Sequence, residues 1–179
     1  MKNTVEKKAV LSFDLPVLAF SALHCVAFYG NDGWTVEPLH GHDFKIRFTI
    51  DGPLGQDRTV LDFCSIIDFF QQILPQVNHK LILAKKSPVF IYHAKGKNTE
   101  ILIRNTQEKK WSFPTEDILF IDRENVSTEE LADFLLEIFM QILCESGSIS
   151  KRHAIYEFAL ELEEAPGMSA KVKKKFRIA

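Results

Sequence analysis

Leu39-His40-Gly41-His42-Asp43-Phe44-Lys45-Ile46-Arg47-Phe48-Thr49-Ile50 opens on two histidines one residue apart and continues as an alternating apolar and polar run. Alternation of period two predicts a strand, and on a strand positions i and i+2 share a face, so His40 and His42 point the same way. Upstream, Ala9 to Phe20 is β-prone and leads through Phe20-Ser21-Ala22-Leu23 to a third imidazole, His24. Two adjacent antiparallel strands would bring all three rings to one cation. Three His ligands leave one tetrahedral position open, the pattern of a catalytic rather than a structural Zn2+ site. Paired histidines also occur in hydrogen-bonded surfaces, so the triplet by itself leaves a metal-free reading open.

Working outward, the turn cluster Asp51-Gly52-Pro53-Leu54-Gly55 ends the strand, and Thr59-Val60-Leu61-Asp62-Phe63 delivers the chain to a helix over Ser65 to Leu74. Its apolar residues Ile66, Ile67, Phe69, Phe70, Ile73 and Leu74 recur at helical spacing; Asp62 or Ser65 is the cap, and Pro75 marks the end. Between Lys85 and Thr115 the pattern changes to short strands, Val89 to Tyr92 and Ile101 to Arg104, around the turn Ala94 to Asn98, with Trp111-Ser112-Phe113 as a further short strand. Ile118 to Ile121 is another strand. Ser127 and Glu130 stand at capping-box spacing ahead of a second helix, whose core stripe runs from Leu131 to Leu143. Ala154 to Glu163 alternates as a final long strand. The order predicts an α+β fold: a largely antiparallel sheet with two helices on one face.

The chain of 179 residues has the length of one domain, 1–179, with 46% hydrophobic and 26% charged residues. Its net charge of −2 and pI near 6.3 give no global attraction to nucleic acid or a membrane surface. The basic run Lys171 to Arg177 reads as a solvated terminal strand or tail. Met1 to Lys8 carries charges without a following apolar run, which places the protein in the cytoplasm. Cys25, Cys64 and Cys144 lack paired spacing and read as reduced, mostly buried thiols. Cys25 adjoins His24 but points to the opposite strand face, so it reads as a core residue.

In succession along nearly the whole chain, these motifs resemble the family of 6-pyruvoyltetrahydropterin synthase and 6-carboxytetrahydropterin synthase. The family's F-S-A-x-H is similar to Phe20-Ser21-Ala22-Leu23-His24, and its L-H-G-H matches Leu39-His40-Gly41-His42. Its V-x-D-F resembles Val60-Leu61-Asp62-Phe63, and its Asp-His pair falls on Asn78-His79. Its P-T-x-E-N-L-A is similar to Val126 to Ala132, and its E-T-P-x-x-x-A to Glu164 to Ala170. The resemblance implies the T-fold, in which subunits pair their sheets into a barrel, commonly a homohexamer, with sites at subunit boundaries. It implies that His24, His40 and His42 hold zinc and that Glu164 anchors the N–H edge of a pterin.

The chain departs from that pattern at two places. Val36 stands where the family carries a nucleophile-like cysteine, and Asn78 replaces the Asp; its amide can hold His79 by a hydrogen bond but cannot stabilise an imidazolium by charge. Glu37, in Glu-x-x-His-Gly-His, resembles a folate-pathway branch in which Glu stands in for the Cys. The resemblance then implies a lyase acting on 7,8-dihydroneopterin triphosphate or a related dihydropterin, in folate or queuosine biosynthesis, with Glu37 and His79 as the catalytic pair. Two other readings stay open: a zinc- and pterin-binding homologue with altered or lost turnover, and an unrelated three-histidine hydrolase indifferent to Glu164. The 85–115 stretch reads as an insertion at a barrel edge, an oligomer contact or a cover for the pocket.

Overall fold

A computed structural model describes residues 7–104, 108–146 and 155–177. Along the chain run β1 (Lys8–His24), β2 (Ala27–Gly30), β3 (Gly33–Val36), β4 (His40–Pro53), α1 (Phe63–Val77), β5 (Lys80–Ala84), β6 (Phe90–Lys95), β7 (Asn98–Ile103), β8 (Lys109–Pro114), β9 (Ile118–Ile121), α2 (Thr128–Glu145), β10 (Ile155–Ala165) and β11 (Met168–Arg177). The main sheet has the order β11-β10-β4-β1-β5-β9. Its β11-β10-β4-β1 half is antiparallel, as expected, but β5 pairs parallel with both β1 and β9. Those two short strands are reached through α1 and through the β6–β8 segment, and a crossover of that length permits parallel pairing.

Alternation divides the sheet into two unlike faces. Phe44, Ile46, Phe48 and Ile50 of β4 and Phe158, Leu160 and Leu162 of β10 are buried beneath the two helices. Phe48 meets Phe139 of α2 in a tilted contact at a centroid distance of 4.3 Å, and Phe139 stacks on Phe70 of α1 at 4.9 Å, so one aromatic cluster joins the sheet to both helices. The other face is polar: Arg47 donates to Asp14, Glu161 and Glu163 at 3.2, 2.9 and 2.8 Å. Lys173 and Lys175 of β11 both approach Glu157, which makes the basic run a paired terminal strand.

Asp62 caps α1 by accepting from the Ser65 backbone N–H at 2.9 Å, and Ser127 caps α2 by accepting from that of Glu130 at 3.5 Å. Pro75 lies inside α1, which continues to Val77. A proline this close to the end removes a single backbone donor; burial of Val77 and the bond from Asn78 N–H to Leu74 C=O hold the last turn. Cys25 is buried, whereas Cys64 and Cys144 are exposed, contrary to expectation. Both sit outside the apolar stripes of their helices.

The 85–115 segment forms its own three-stranded sheet, β6-β7-β8, and does not extend the edge of the main sheet. Phe90 and Ile101 bury against Leu81, Leu83, Cys25 and Ala27, making a second apolar cluster on the face of β5 turned away from the helices. Among the described residues no helix is long and apolar enough to cross a membrane.

At Gly52 an added methyl would lie 2.4 Å from the Tyr156 ring. Both groups are in the packed core, so Gly52→Ala is expected to cost about 1–3 kcal/mol of stability, read as a lower urea midpoint at unchanged slope.

Candidate metal centre and active site

Register builds the site. His24 ends β1 directly opposite His40, the first residue of β4, and Ala22 stands opposite His42. Cross-strand pairing and the two-residue repeat thus put all three rings on the helix-covered face. Their centroids lie 4.7–5.2 Å apart, above the Phe44 ring, which stacks on Phe20.

The ring orientations are set from outside the triplet. His24 Nδ1 lies 2.9 Å from the Val126 carbonyl, and His40 Nδ1 lies 2.8 Å from that of Pro38. A carbonyl only accepts, so each Nδ1 carries a proton, and in the neutral ring Nε2 is the nitrogen left to face the interior of the site as a ligand. His24 is fully buried. Burial lowers the pKa of His42, opposed by the Glu164 carboxylate, and favours the neutral form that binds metal.

Glu164 closes the group. It sits near the end of β10, at a register shift against β11 between Glu163 and Ala165, and such a bulge re-aims the side chain it carries. Its Oε1 is 2.9 Å from His24 Nε2 and 3.1 Å from His42 Nε2, while Oε2 accepts from Thr128 Oγ1 at 2.5 Å. Despite those distances, neither His24 Nε2 nor His42 Nε2 has an aligned hydrogen-bond partner. Buried nitrogens left this way are costly unless a cation engages them. His24, His40, His42 and Glu164 offer ligand atoms within 4.8 Å of one another, a group able to hold a metal ion.

Glu37 lies beside this group and outside it. Its carboxylate accepts the Val26 N–H at 2.6 Å, its own N–H donates to Val26 C=O at 3.2 Å, and Oε1 is 3.9 Å from His40 Nδ1. Cys25 donates its thiol to the Glu37 carbonyl, and burial pushes that thiol's pKa up to about 12, which makes it a packing residue and no nucleophile. Val36 packs against the second apolar cluster.

His79 is exposed and outside the imidazole group. It lines an open pocket of about 430 Å³ with Ser21, Leu23, Gly41, Asp43 and also His42, so that pocket borders the imidazole group. Asn78 does not hold it: the Asn78 Oδ1 accepts the Ser21 N–H at 2.9 Å, tying the end of α1 to β1. His79 follows that cap at φ 59°, a left-handed conformation usually given to glycine, and its N–H donates to Ser21 C=O. Thr128 and the Val126 carbonyl were not singled out from sequence, although both lie in the motif at the start of α2; their partners are 36 and 102 residues away.

A family model described as 6-pyruvoyl tetrahydropterin synthase matches residues 17–175. The chain belongs to that family. Within it, a protein of Methanocaldococcus jannaschii named "Putative 6-carboxy-5,6,7,8-tetrahydropterin synthase" is 29% identical over 116 residues, 64% of this chain and 67% of that one. A protein of the same name from Pyrococcus horikoshii is 25% identical over 99 residues, 55% of this chain and 56% of its own length. The matches thus span between about half and two thirds of these relatives. The 6-pyruvoyl tetrahydropterin synthase of Plasmodium vivax superposes with a TM-score of 0.81 at 23% identity, covering 96% of this chain and all of that one. That of Plasmodium falciparum gives 0.80 at 24%, covering 94% and 99%. The fold of the 6-pyruvoyl tetrahydropterin synthase family, the T-fold, is therefore that of this chain.

Proposed function

We propose that the protein is a zinc-dependent lyase acting on 7,8-dihydroneopterin triphosphate or a closely related dihydropterin with a hydroxylated side chain. The observation that carries this reading is the convergence of three imidazoles, two with Nδ1 bonded to a carbonyl, on one buried point beside an acidic residue held in place. His24, His40 and His42 would hold the ion, and Zn2+ bound there would supply a Lewis acid for the side-chain hydroxyls.

Glu37 is the proton carrier. The Val26 N–H fixes its carboxylate, leaving the second oxygen to take a proton from the substrate side chain. A catalytic glutamate has a parallel in the Plasmodium vivax 6-pyruvoyl tetrahydropterin synthase, of which alanine and cysteine mutants of a glutamate described as a catalytic residue have been solved. Glu164 offers its carboxylate to the pterin's N–H edge, and two oxygens facing two parallel donors make a selective contact.

His79 is the second proton-handling group. Its exposure in an open pocket that also borders His42 supports a proton-handling role beside the imidazole group. Among the described residues the outer strands of the main sheet, β9 and β11, each lack a neighbour on one side, which supports closure of the sheet by further copies into a homohexameric barrel. A left-handed backbone at a non-glycine residue stores about 1–3 kcal/mol of strain, tolerated where a side chain is needed. His79→Gly is therefore expected to raise the melting temperature slightly while lowering turnover; unchanged turnover would remove His79 from the mechanism.

The direct test is to incubate zinc-loaded protein with 7,8-dihydroneopterin triphosphate and resolve 6-pyruvoyl, 6-carboxy and 6-hydroxymethyl products by chromatography. Failure to form any of the three refutes the lyase assignment. Tight pterin binding without turnover supports the binding-homologue reading.

A further inference from the structure

We propose that Glu164 is a fourth metal ligand in the pterin-free protein and gives up that position when a pterin's N–H edge arrives, so that substrate recognition opens the metal. The inference rests on the reading above, in which the same carboxylate anchors the pterin.

The geometry around Oε1 is that of a ligand. In a tetrahedral site with bonds of 2.0–2.2 Å, neighbouring donor atoms are separated by about 3.3–3.6 Å. Glu164 Oε1 lies 2.9 and 3.1 Å from the Nε2 atoms of His24 and His42, a few tenths of an ångström inside that edge length. A hydrogen-bond acceptor at such distances would lie along an N–H direction, yet neither nitrogen has an aligned partner. Oε1 thus stands beside two imidazole nitrogens without sharing an aligned proton with either. The first turn of α2 supports the placement, because Thr128 holds Oε2 and leaves Oε1 turned inward.

Two roles then compete for one carboxylate. A pterin's fork of parallel N–H donors needs both oxygens, and here both are engaged, one by the imidazole cluster and the other by Thr128. Pterin binding must therefore withdraw Oε1 from the cluster. With Oε1 in place the residues would offer a bound ion four ligands, as in a structural site; without it they would offer three histidines and leave a position open, as in a catalytic one. A hydroxylated molecule without the pterin edge has nothing to exchange for Oε1 and leaves the site closed. Glu164 is in this way a specificity determinant acting through the metal's coordination number as well as through direct contact.

Co2+-loaded protein reports the exchange without turnover. The probe is 6-methylpterin, which carries the recognition edge and no side-chain hydroxyl. In the wild type, saturating 6-methylpterin is expected to change the visible Co2+ absorption bands. In Glu164→Gln, Co2+ affinity measured by chelator competition falls by about 10-fold or more, and 6-methylpterin leaves the bands unmoved. Glu164→Asp, whose carboxylate is too short to reach both partners, provides a second variant if the amide fails to fold, with the same expected losses. Equal Co2+ affinity and equal spectra in wild type and variants overturn the proposal while leaving the three-histidine centre standing. A wild-type spectrum unchanged by bound 6-methylpterin, with binding followed by pterin fluorescence, overturns it as well. Failure of the wild type to bind Co2+ or 6-methylpterin at all overturns the underlying functional reading along with it.

Discussion

His42→Ala is expected to lose metal binding while keeping the fold. His42 is 23% exposed where His24 is fully buried, and it stands opposite the small Ala22, so truncation leaves no large core cavity. Apparent metal-binding energies of 10–16 kcal/mol in four-ligand sites amount to about 3 kcal/mol per ligand, or roughly a hundredfold in affinity. The thermal consequence has a definite sign. At a thousandfold excess over Kd, a metal that binds only the folded chain stabilises it by about 4 kcal/mol. Zinc should therefore raise the melting temperature of the wild type and do little for the variant. Without metal the order should level or reverse, because alanine removes a buried nitrogen that has no hydrogen-bond partner. Titration calorimetry with zinc, and melts with and without it, check both halves; wild-type zinc affinity in the variant would exclude His42 as a ligand.

Glu37→Ala is expected to lower kcat by about 10²–10⁴ with metal affinity near that of the wild type, since general acid–base groups contribute in that range. The glutamate has a structural bond as well, and two substitutions separate the roles. Gln at this position can still accept the Val26 N–H through its amide oxygen, so Glu37→Gln should keep wild-type stability, yet it cannot take up a proton and should be as slow as Glu37→Ala. A fast Glu37→Gln would reduce Glu37 to a brace for the β2–β3 hairpin. Cys25 cannot substitute for it, because its buried thiol is almost wholly protonated at neutral pH.

How much of this was legible follows from the range of the interactions. The alternation from Phe44 to Ile50, the caps Asp62 and Ser127 and the strands of the 85–115 segment are written within a few residues of themselves, and each is found where its pattern puts it. The parallel strand β5 escaped notice, because Leu81-Ile82-Leu83-Ala84 is buried on both faces and shows no period. The β2–β3 hairpin escaped for another reason: its exposed Phe28, Tyr29 and Trp34 give it no apolar-in, polar-out pattern.

The site divides along the same line. Two-residue spacing on β4 alone put His40 and His42 on one face, since strand geometry needs no partner to alternate. Sequence could not place Glu164 Oε1 against two of the imidazoles, orient His24 through a carbonyl 102 residues away, or put His79 into an open pocket that also borders His42. Those are facts of register, a β-bulge and a left-handed backbone, all decided by which distant strands pair. The chain by itself determined which ligands are available; only the tertiary structure decided that a carboxylate already stands among them, because a fourth donor meets the other three only once β10 has paired with β4.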